Sequence, residues 1–270
     1  MSVVRLGFND LVEGADITAS DEVATLPFEN LKGSQLGCKG RSTTTDITLD
    51  FDLGAAYAVT GLFISAHNIS SSVTVLKWQN KALVGDSYAD YVNLLDPVGN
   101  ASYNAYDSKQ IIWYPAPGSK RYWRLVITDA SNIDGYIEIG AVRIFSYYEP
   151  SKGAARGISI SRKDLSEIQN GLNGSKYANV KSKQWIFGIA LNNIPSDPAG
   201  TDDLQSLMDM FDIIGSTKDI VVSIDPYADG SYPYKNLKKL TLYGSLSKDF
   251  GAKDVTVDMY NMSYTFEEAL

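Results

Sequence analysis

Short segments in which apolar and polar residues alternate recur along this chain, and this two-residue period constrains the fold more than any other feature. Residues 49–53 place three apolar side chains on one side, and residues 185–191 place four. Successive side chains of a strand point to opposite faces, so the pattern predicts strands with a buried face. The 17 tyrosines and 22 glycines agree, because aromatic residues favour pleated surfaces and glycines favour turns. We expect a mainly β chain.

One interruption of this pattern predicts two domains. The chain has 270 residues, enough for one large or two ordinary domains. Residues 149–157 lack periodic apolar positions, as a linker does. We therefore expect one domain at 1–150 and a smaller β-rich domain at 151–270.

The second domain contains the best helix signal of the chain, near residues 201–214. Thr201 can cap the first free amides, acidic residues follow it, and Gly215 can end the helix. The period of 3.6 residues predicts an apolar stripe that lies on a sheet. The members of this stripe are Leu204, Leu207, Met208, Phe211 and Ile214.

A polar break separates two apolar runs in the first domain. The runs are 59–65 and 73–78, and the residues between them are rich in Asn and Ser. Such a break predicts a turn that joins two paired strands.

Charge and composition exclude several classes of function. Lys and Arg total 24 and Asp and Glu total 32, a net charge of −8 that disfavours binding to nucleic acid. The single cysteine, Cys38, cannot form an internal disulfide, and with one histidine, His67, the usual zinc sites cannot be built. The first ten residues predict no secretory signal, and no apolar run is long enough to insert into a membrane.

Two arrangements resemble catalytic groups, and both have a simpler interpretation. Cys38 is followed by Lys39 and Arg41, with His67 as its only available base, and a structural thiol is the favoured interpretation. Asp50 and Asp52 share one face of a strand, as an acid/base pair could, but the outward polar face of a sheet is the favoured interpretation. We expect no enzyme activity, and hydrolysis of a polysaccharide through these carboxylates is the enzymatic alternative.

Four oxygen-bearing residues lie within ten positions of one loop. Asp129, Asn132, Asp134 and Glu138 could hold a structural calcium ion. The alternative is a turn in which the Asx side chains bond to their own backbone, and this is the favoured interpretation. No other cofactor is expected.

Aromatic residues in the irregular region 85–118 are the remaining candidates for binding. Tyr and Trp anchor protein interfaces and stack on sugar rings. Tyr103, Tyr106, Trp113 and Tyr114 are the candidates for either role. Burial in a core is the alternative, and periodicity does not separate the two.

Four segments resemble, in order, the strands of discoidin-type (coagulation factor 5/8 type C) galactose-binding-like domains. They read LDFDLG at 49–54, AVTGL at 58–62, KRYWRL at 120–125 and GYIEIGAVRI at 135–144. The resemblance covers roughly residues 20–147 and implies an antiparallel jelly-roll β-sandwich. In that family a glutamate at the position of Glu138 sometimes helps to hold calcium. No sugar-binding residue set of the family matches the loops of this chain.

A second resemblance, spread over nearly the whole chain, is to structural proteins of the tail tip or baseplate of tailed bacteriophages. The residues concerned are LPFENL at 26–31, the His67-Asn68 turn, WIF at 185–187, IDP at 224–226, LYG at 242–244 and the closing YTFEEAL. It implies a virion protein that is assembled in the reducing cytoplasm of the host.

Together these observations give a first hypothesis and an alternative. The first is a non-enzymatic structural protein of a phage tail, located in the virion, which forms homo-oligomers and contacts other tail proteins through interfaces. The alternative is a carbohydrate-binding module that recognises glycans of the host surface. The two hypotheses are compatible.

Overall fold

A computed structural model describes most of the chain and divides it into two compact units. The described residues are 4–70, 72–94, 110–113, 118–151, 158–170, 175–196, 202–224, 240–247, 251–256 and 258–270. The N-terminal unit is Gly7–Tyr147, and the C-terminal unit comprises the described parts of Met1–Leu6, Tyr148–Ala228 and Leu240–Leu270. The domain limits 1–150 and 151–270 stay a prediction.

The N-terminal unit is built almost entirely of strands, joined by loops and one short 3-10 helix at Phe28–Lys32. The strands are β1 (Val4–Asp10), β2 (Asp16–Ala19), β3 (Gly40–Arg41), β4 (Asp46–Val59), β5 (Gly61–Ser65), β6 (Val75–Lys81), β7 (Ala89–Asn93), β8 (Gln110–Trp113), β9 (Gly118–Thr128), β10 (Glu138–Ile139) and β11 (Ala141–Tyr148). Residues 7–10 of β1 belong to this unit.

Two sheets face each other in this unit. One has the order β2-β4-β9-β6-β7 and the other contains β11, β5 and β8 beside β1, while β3 and β10 form a short pair. Their inward side chains make one core: Phe51 packs 5.9 Å from Trp78 between ring centroids, and Val142 and Ile144 of the opposite sheet belong to the same buried cluster. The expected mainly β fold with a jelly-roll sandwich is confirmed, because alternation buries one face of each strand.

The predicted pairing of the runs 59–65 and 73–78 is wrong. β5 pairs with β11 and β8, whereas β6 pairs with β9 and β7 in the other sheet. The polar segment between the two strands is therefore a crossover between sheets. The apolar runs indicate that β5 and β6 are buried, but they do not indicate which sheet each strand joins.

The C-terminal unit combines a sheet with the single helix among the described residues. The elements are β12 (Ser159–Asp164), β13 (Glu167–Asn170), β14 (Lys176–Asn179), β15 (Lys183–Pro195), α1 (Asp203–Ile214), β16 (Ile220–Ile224), β17 (Thr241–Leu246), β18 (Gly251–Thr256) and β19 (Met259–Glu268). The main sheet contains β12-β15-β19-β17-β16, and β18 also pairs with β19.

The helix forms where the sequence predicts it, with two corrections in detail. Thr201 lies outside the described residues, and the N-cap is Asp202, whose carboxylate accepts a 2.9 Å bond from the Gln205 amide. Met208 is 41% exposed and Met210 is fully buried in its place. Met210 lies three residues after buried Leu207 and so shares its face, whereas Met208 is turned about 100° away from Leu207.

Candidate functional site

Three connections of the N-terminal unit meet at one end of the sandwich. Asp46, the first residue of β4, pairs with Thr128, the last of β9, and Val75 at the start of β6 pairs with the same Thr128. β5 ends at Ser65 opposite Ala141. The segments beyond these residues therefore lie side by side, and we call residues 39–45, 66–70 and 129–138 the loop end.

A buried carboxylate ties two of these segments together. Asp129 is fully buried and accepts 2.6 Å bonds from both the backbone amide and the hydroxyl of Ser70. Its backbone amide donates to Thr45 on the third segment. A carboxylate with charge-assisted bonds of this kind holds loops in one geometry.

Asn68 is the central side chain of the loop end. Its amide nitrogen donates to the Asp134 carboxylate at 3.0 Å and to the Tyr136 carbonyl at 2.9 Å, and its oxygen accepts from the Glu138 amide at 2.8 Å. The Asn132 side chain in turn donates to the Asn68 carbonyl at 3.0 Å. Both polar atoms of the Asn68 side chain and its backbone carbonyl thus have partners, which stabilises these loops in one arrangement.

Glu138 joins the third segment of the loop end to the first, residues 39–45, through a pair of cations. Lys39 donates to one carboxylate oxygen at 2.5 Å, and Arg41 donates to the other through Nε at 2.9 Å and also through Nη2. Burial opposes ionisation of Glu138, but these bonds outweigh burial and hold the pKa of the carboxyl below its usual value. The same contacts raise the pKa of the Arg41 guanidinium. Glu138 and Arg41 are therefore both charged at neutral pH.

An aromatic ring completes the surface. The guanidinium carbon of Arg41 lies 4.3 Å from the centroid of the Tyr136 ring. Tyr136 is half-buried, and the Lys39 and Arg41 side chains keep 37% and 34% of their surface exposed. The loop end thus presents a supported ring, two cations and the exposed Asp134 carboxylate to solvent, while the Glu138 side chain keeps 13% of its surface exposed.

The four calcium candidates lie in this site with protein partners for their oxygens. Asp129 accepts from Ser70, Asn132 accepts from the Asp134 amide at 3.0 Å, Asp134 accepts from Asn68, and Glu138 accepts from the two cations. Within the part of the chain that the structure describes, no three His, Cys, Asp or Glu residues form a group that could hold a metal ion. Calcium binding stays a prediction, and it would require these bonds to be exchanged.

The four aromatic candidates cannot be placed in this way. Tyr103, Tyr106 and Tyr114 lie outside the described residues. Trp113 is the last residue of β8, where its backbone pairs with Leu62, and its side chain lies outside the description. Their role in binding stays a prediction.

The paired carboxylates of β4 form ion pairs on the outer face of the five-stranded sheet. Arg124 donates to Asp50 at 2.5 and 2.8 Å, and Arg121 donates to Asp52 at 2.6 and 2.8 Å. The Arg121 bonds lower the pKa of Asp52. A general acid needs a raised pKa, so Asp52 does not meet that requirement.

The thiol candidate has no catalytic partner in view. Cys38 is exposed and its sulfur contacts the Gln35 side chain at 3.3 Å. His67 uses Nδ1 to accept a 3.2 Å bond from the Ile69 amide. That nitrogen stabilises the crossover between the sheets.

Sequence reasoning identified one side of the loop end and missed the other. The Asx-rich loop was visible, but Lys39, Arg41, Asn68 and Tyr136 carry no local motif. They reach the site through pairings more than sixty residues apart, such as Glu138 with Arg41 in the β10–β3 pair. The resemblances at 135–144 and at the His67-Asn68 turn were the signals that included two of them, Tyr136 and Asn68.

Comparison with known proteins finds no matching family model and no matching curated protein. Solved structures similar to this chain include the Clostridium perfringens module CpGH89CBM32-5 in complex with GalNAc-β-1,3-galactose, at 12% identity over 51% of this chain and 100% of that one, with a TM-score of 0.41. A family 32 carbohydrate-binding module of C. perfringens NanJ in complex with galactose is 11% identical over 53% and 99%, with a TM-score of 0.39.

A third similar structure is chitosan-binding module 2 from Paenibacillus sp. IK-5 in complex with chitotriose. It is 11% identical over 51% of this chain and 100% of that one, with a TM-score of 0.40. The phage-tail assignment stays a prediction. No helix in the described part of the chain is long and apolar enough to cross a membrane.

Proposed function

We propose that this chain is a non-catalytic binding protein whose N-terminal unit recognises a carbohydrate at the loop end. The observation that carries the proposal is the Arg41–Tyr136 stack beside Glu138, held in place by the Asn68 network. A sugar offers an apolar C–H face and adjacent hydroxyl groups. The loop end offers the Tyr136 ring to the C–H face, and it offers hydrogen-bond donors and acceptors to the hydroxyl groups.

Rigidity favours recognition of a polar ligand here. Side chains that must be ordered on binding each cost about 0.5–1.5 kcal/mol. At the loop end this ordering exists before binding, because Glu138 bonds to two cations and Asn68 spans three partners. Weak hydrogen bonds to hydroxyl groups can then produce net affinity.

The charge balance of the site favours a neutral glycan. Lys39 and Arg41 both bond to Glu138, and Arg41 also interacts electrostatically with Asp134, so two positive charges stand beside two negative ones. An acidic sugar would meet no excess of cations, and like charges close together are unfavourable. We expect neutral hexoses or N-acetylhexosamines to bind better than sialylated or uronic glycans.

The absence of catalysis is part of the same proposal. The two carboxylates of β4 that could act as a pair are each bonded twice to an arginine. The proton exchange of a glycosidase requires one carboxyl group with a raised pKa. We expect bound oligosaccharides to be released unchanged.

The experiment is a glycan-array screen of the full-length chain, followed by calorimetry with the best neutral ligand. Tyr136→Ala removes the ring, and a stacking contribution of about 1 kcal/mol predicts a Kd roughly fivefold to tenfold weaker. Glu138→Gln removes the charge that orders Lys39 and Arg41 and is expected to weaken binding as well.

Tyr57→Ala is the matched control for this experiment. Tyr57 is 40% exposed and lies near the far end of β4, where it pairs with Lys120. Its replacement should leave the affinity unchanged. Silence of the whole array, or binding that Tyr136→Ala and Glu138→Gln leave intact, would contradict the proposal.

A structural role in a phage tail is the second candidate, and an exposed β-hairpin in the C-terminal unit favours it. All residues of β13 and β14 are exposed, and exposed edges of strands are ready templates for contacts with other chains. Co-purification of this chain with tail particles, detected by mass spectrometry, tests the role. Particles that lack the chain would contradict it.

A further inference from the structure

The β13–β14 pair extends from the C-terminal unit without a core of its own. β12 pairs with the first part of β15, and β13 and β14 continue this pair on the far side of Ser166, whose hydroxyl accepts from the Lys181 amide at 3.0 Å. Every residue of β12, β13 and β14 is exposed. An isolated two-stranded pair is only marginally stable in water, so a partner surface would stabilise it.

One face of this hairpin combines apolar and basic side chains. Ile168 lies opposite Ala178 and Asn170 lies opposite Lys176, and alternation along each strand places these four on the same face. Ile168 is 67% exposed. We call this face, with Ile168 and Lys176 as its main features, the arm face.

The charge of this segment is opposite to that of the rest of the chain. Residues 159–183 contain five basic and two acidic side chains, a net charge of +3, while the remaining 245 residues contain 19 basic and 30 acidic. Complementary charge steers two surfaces together and selects partners. A second copy of this acidic chain is therefore a suitable partner for the arm face.

Helix α1 offers a surface of complementary chemistry. Met208 is 41% and Ile213 is 53% exposed, and Asp209 and Asp212 are exposed beside them. The last turn of α1 contains no basic residue. Asp212 thus lies near the negative end of the helix dipole, where a carboxylate is unfavourable and a cation would be favourable.

We propose that the arm face of one copy docks on the exposed face of α1 in a second copy. Ile168 packs against Met208 and Ile213 there, and Lys176 faces Asp209 and Asp212. The two surfaces differ, so the contact runs head to tail and repeats from copy to copy, closing into a ring or continuing as a filament. This inference is independent of carbohydrate binding.

The experiment measures the mass of the full-length chain by sedimentation velocity over a range of protein concentrations. Wild-type protein is expected to form species larger than its 29.5 kDa chain mass. Lys176→Glu and the double variant Asp209→Lys/Asp212→Lys are each expected to weaken self-association at least tenfold. Lys253→Glu, an equally exposed reversal in the same unit, is the control and should associate as wild type does.

Mixing the two reversed proteins is the decisive step. In a 1:1 mixture the acidic arm of one variant meets the basic helix of the other, and each unmodified surface also finds a complementary partner. Large species are expected to return in the mixture. Circular dichroism of each variant verifies that the fold is retained.

Three results would overturn the proposal. The first is a wild-type chain that stays monomeric at about 100 μM, far above the Kd of an ordinary interface. The second is self-association that neither reversal changes. The third is a mixture of the two folded variants that remains monomeric, since that result excludes charge pairing between these two faces.

Discussion

Arg143 anchors the segment that leads to the loop end, and its replacement by methionine should destabilise the N-terminal unit strongly. Its side chain is 4% exposed and donates to the carbonyls of Leu31 and Gly33, both at 2.6 Å, and of Val142 at 2.9 Å. Its Nε lies 3.3 Å from Asp10. Residues 31–33 stand just before Lys39 and Arg41, so these bonds also position the site.

The size of the destabilisation follows from the polar groups that Arg143→Met leaves without a hydrogen-bond donor. Arg143→Met keeps most of the volume but deprives buried carbonyls and a carboxylate of their donor. Removing one partner of a buried pair costs about 3–5 kcal/mol. The matched control is Arg121→Met, which removes a pair whose side chains are 39% and 28% exposed, and surface pairs of this kind contribute about 0–1 kcal/mol.

The loss should also depend on pH. Burial raises the pKa of Asp10 to about 6, and the Arg143 guanidinium opposes this rise. Without Arg143 the pKa of Asp10 rises further, and a folded-state pKa above the ordinary value means stability that is lost as pH increases through it. Destabilisation by Arg143→Met should therefore be larger at pH 7 than at pH 5. The Asp10 side chain keeps 21% of its surface exposed, which reduces this part of the effect.

Hydrogen exchange measured on peptides from β9 and β11 reports the N-terminal unit separately from the rest of the chain. A loss of about 4 kcal/mol corresponds to protection lower by roughly a thousandfold. Arg121→Met should lower it by less than about tenfold. Equal effects of the two variants would refute the reasoning, because burial would then make no difference to the cost of losing an arginine.

Three further predictions concern packing and protonation. Gly61→Ala should cost about 2 kcal/mol in urea unfolding, since its new Cβ would lie 2.1 Å from the Phe145 ring, whereas Gly85→Ala, with open space around it, should change little. Trp78→Ala, at a site 1% exposed, should cost about 3–5 kcal/mol and lower the Tm markedly. The pKa of Glu138 is lowered because its ionised form bonds to Lys39 and Arg41. These bonds should therefore keep the loop end ordered above the usual carboxyl pKa, and the order should be lost as pH falls through the lowered pKa. Glu138→Gln should abolish this acid-side loss in hydrogen exchange.

The sequence was sufficient for the fold class because alternation acts locally. Residues 49–53 alternate, and Leu49, Phe51 and Leu53 are buried as expected. The partner of a strand is a long-range property, so the pairing of 59–65 with 73–78 was predicted wrongly. The helix shows the same limit on a smaller scale. Its position follows from its period, but which of Met208 and Met210 is buried depends on how α1 packs on the sheet.

The sequence predicted some of the residues of the candidate site, but it did not predict most of the bonds that they form. The favoured prediction of an Asx turn is confirmed for Asn132, whose side-chain oxygen accepts from the Asp134 amide. The Asn132 side-chain nitrogen and the Asp129 carboxylate bond instead to another segment. Glu138 was expected as an oxygen ligand, and its observed partners, Lys39 and Arg41, lie about a hundred residues away. Only the folded sandwich brings these segments together.

The central claim, that the loop end recognises a neutral sugar, is tested most directly by locating the bound ligand with NMR. Chemical shifts of the labelled full-length chain are recorded while the best neutral oligosaccharide is titrated in. We expect the changes to concentrate at residues 39–41, 66–70 and 134–138, with the Arg41 and Asn68 side-chain signals among the largest. Changes centred on the outer sheet face around Tyr88 and Arg124, or no changes at saturating sugar, would contradict it.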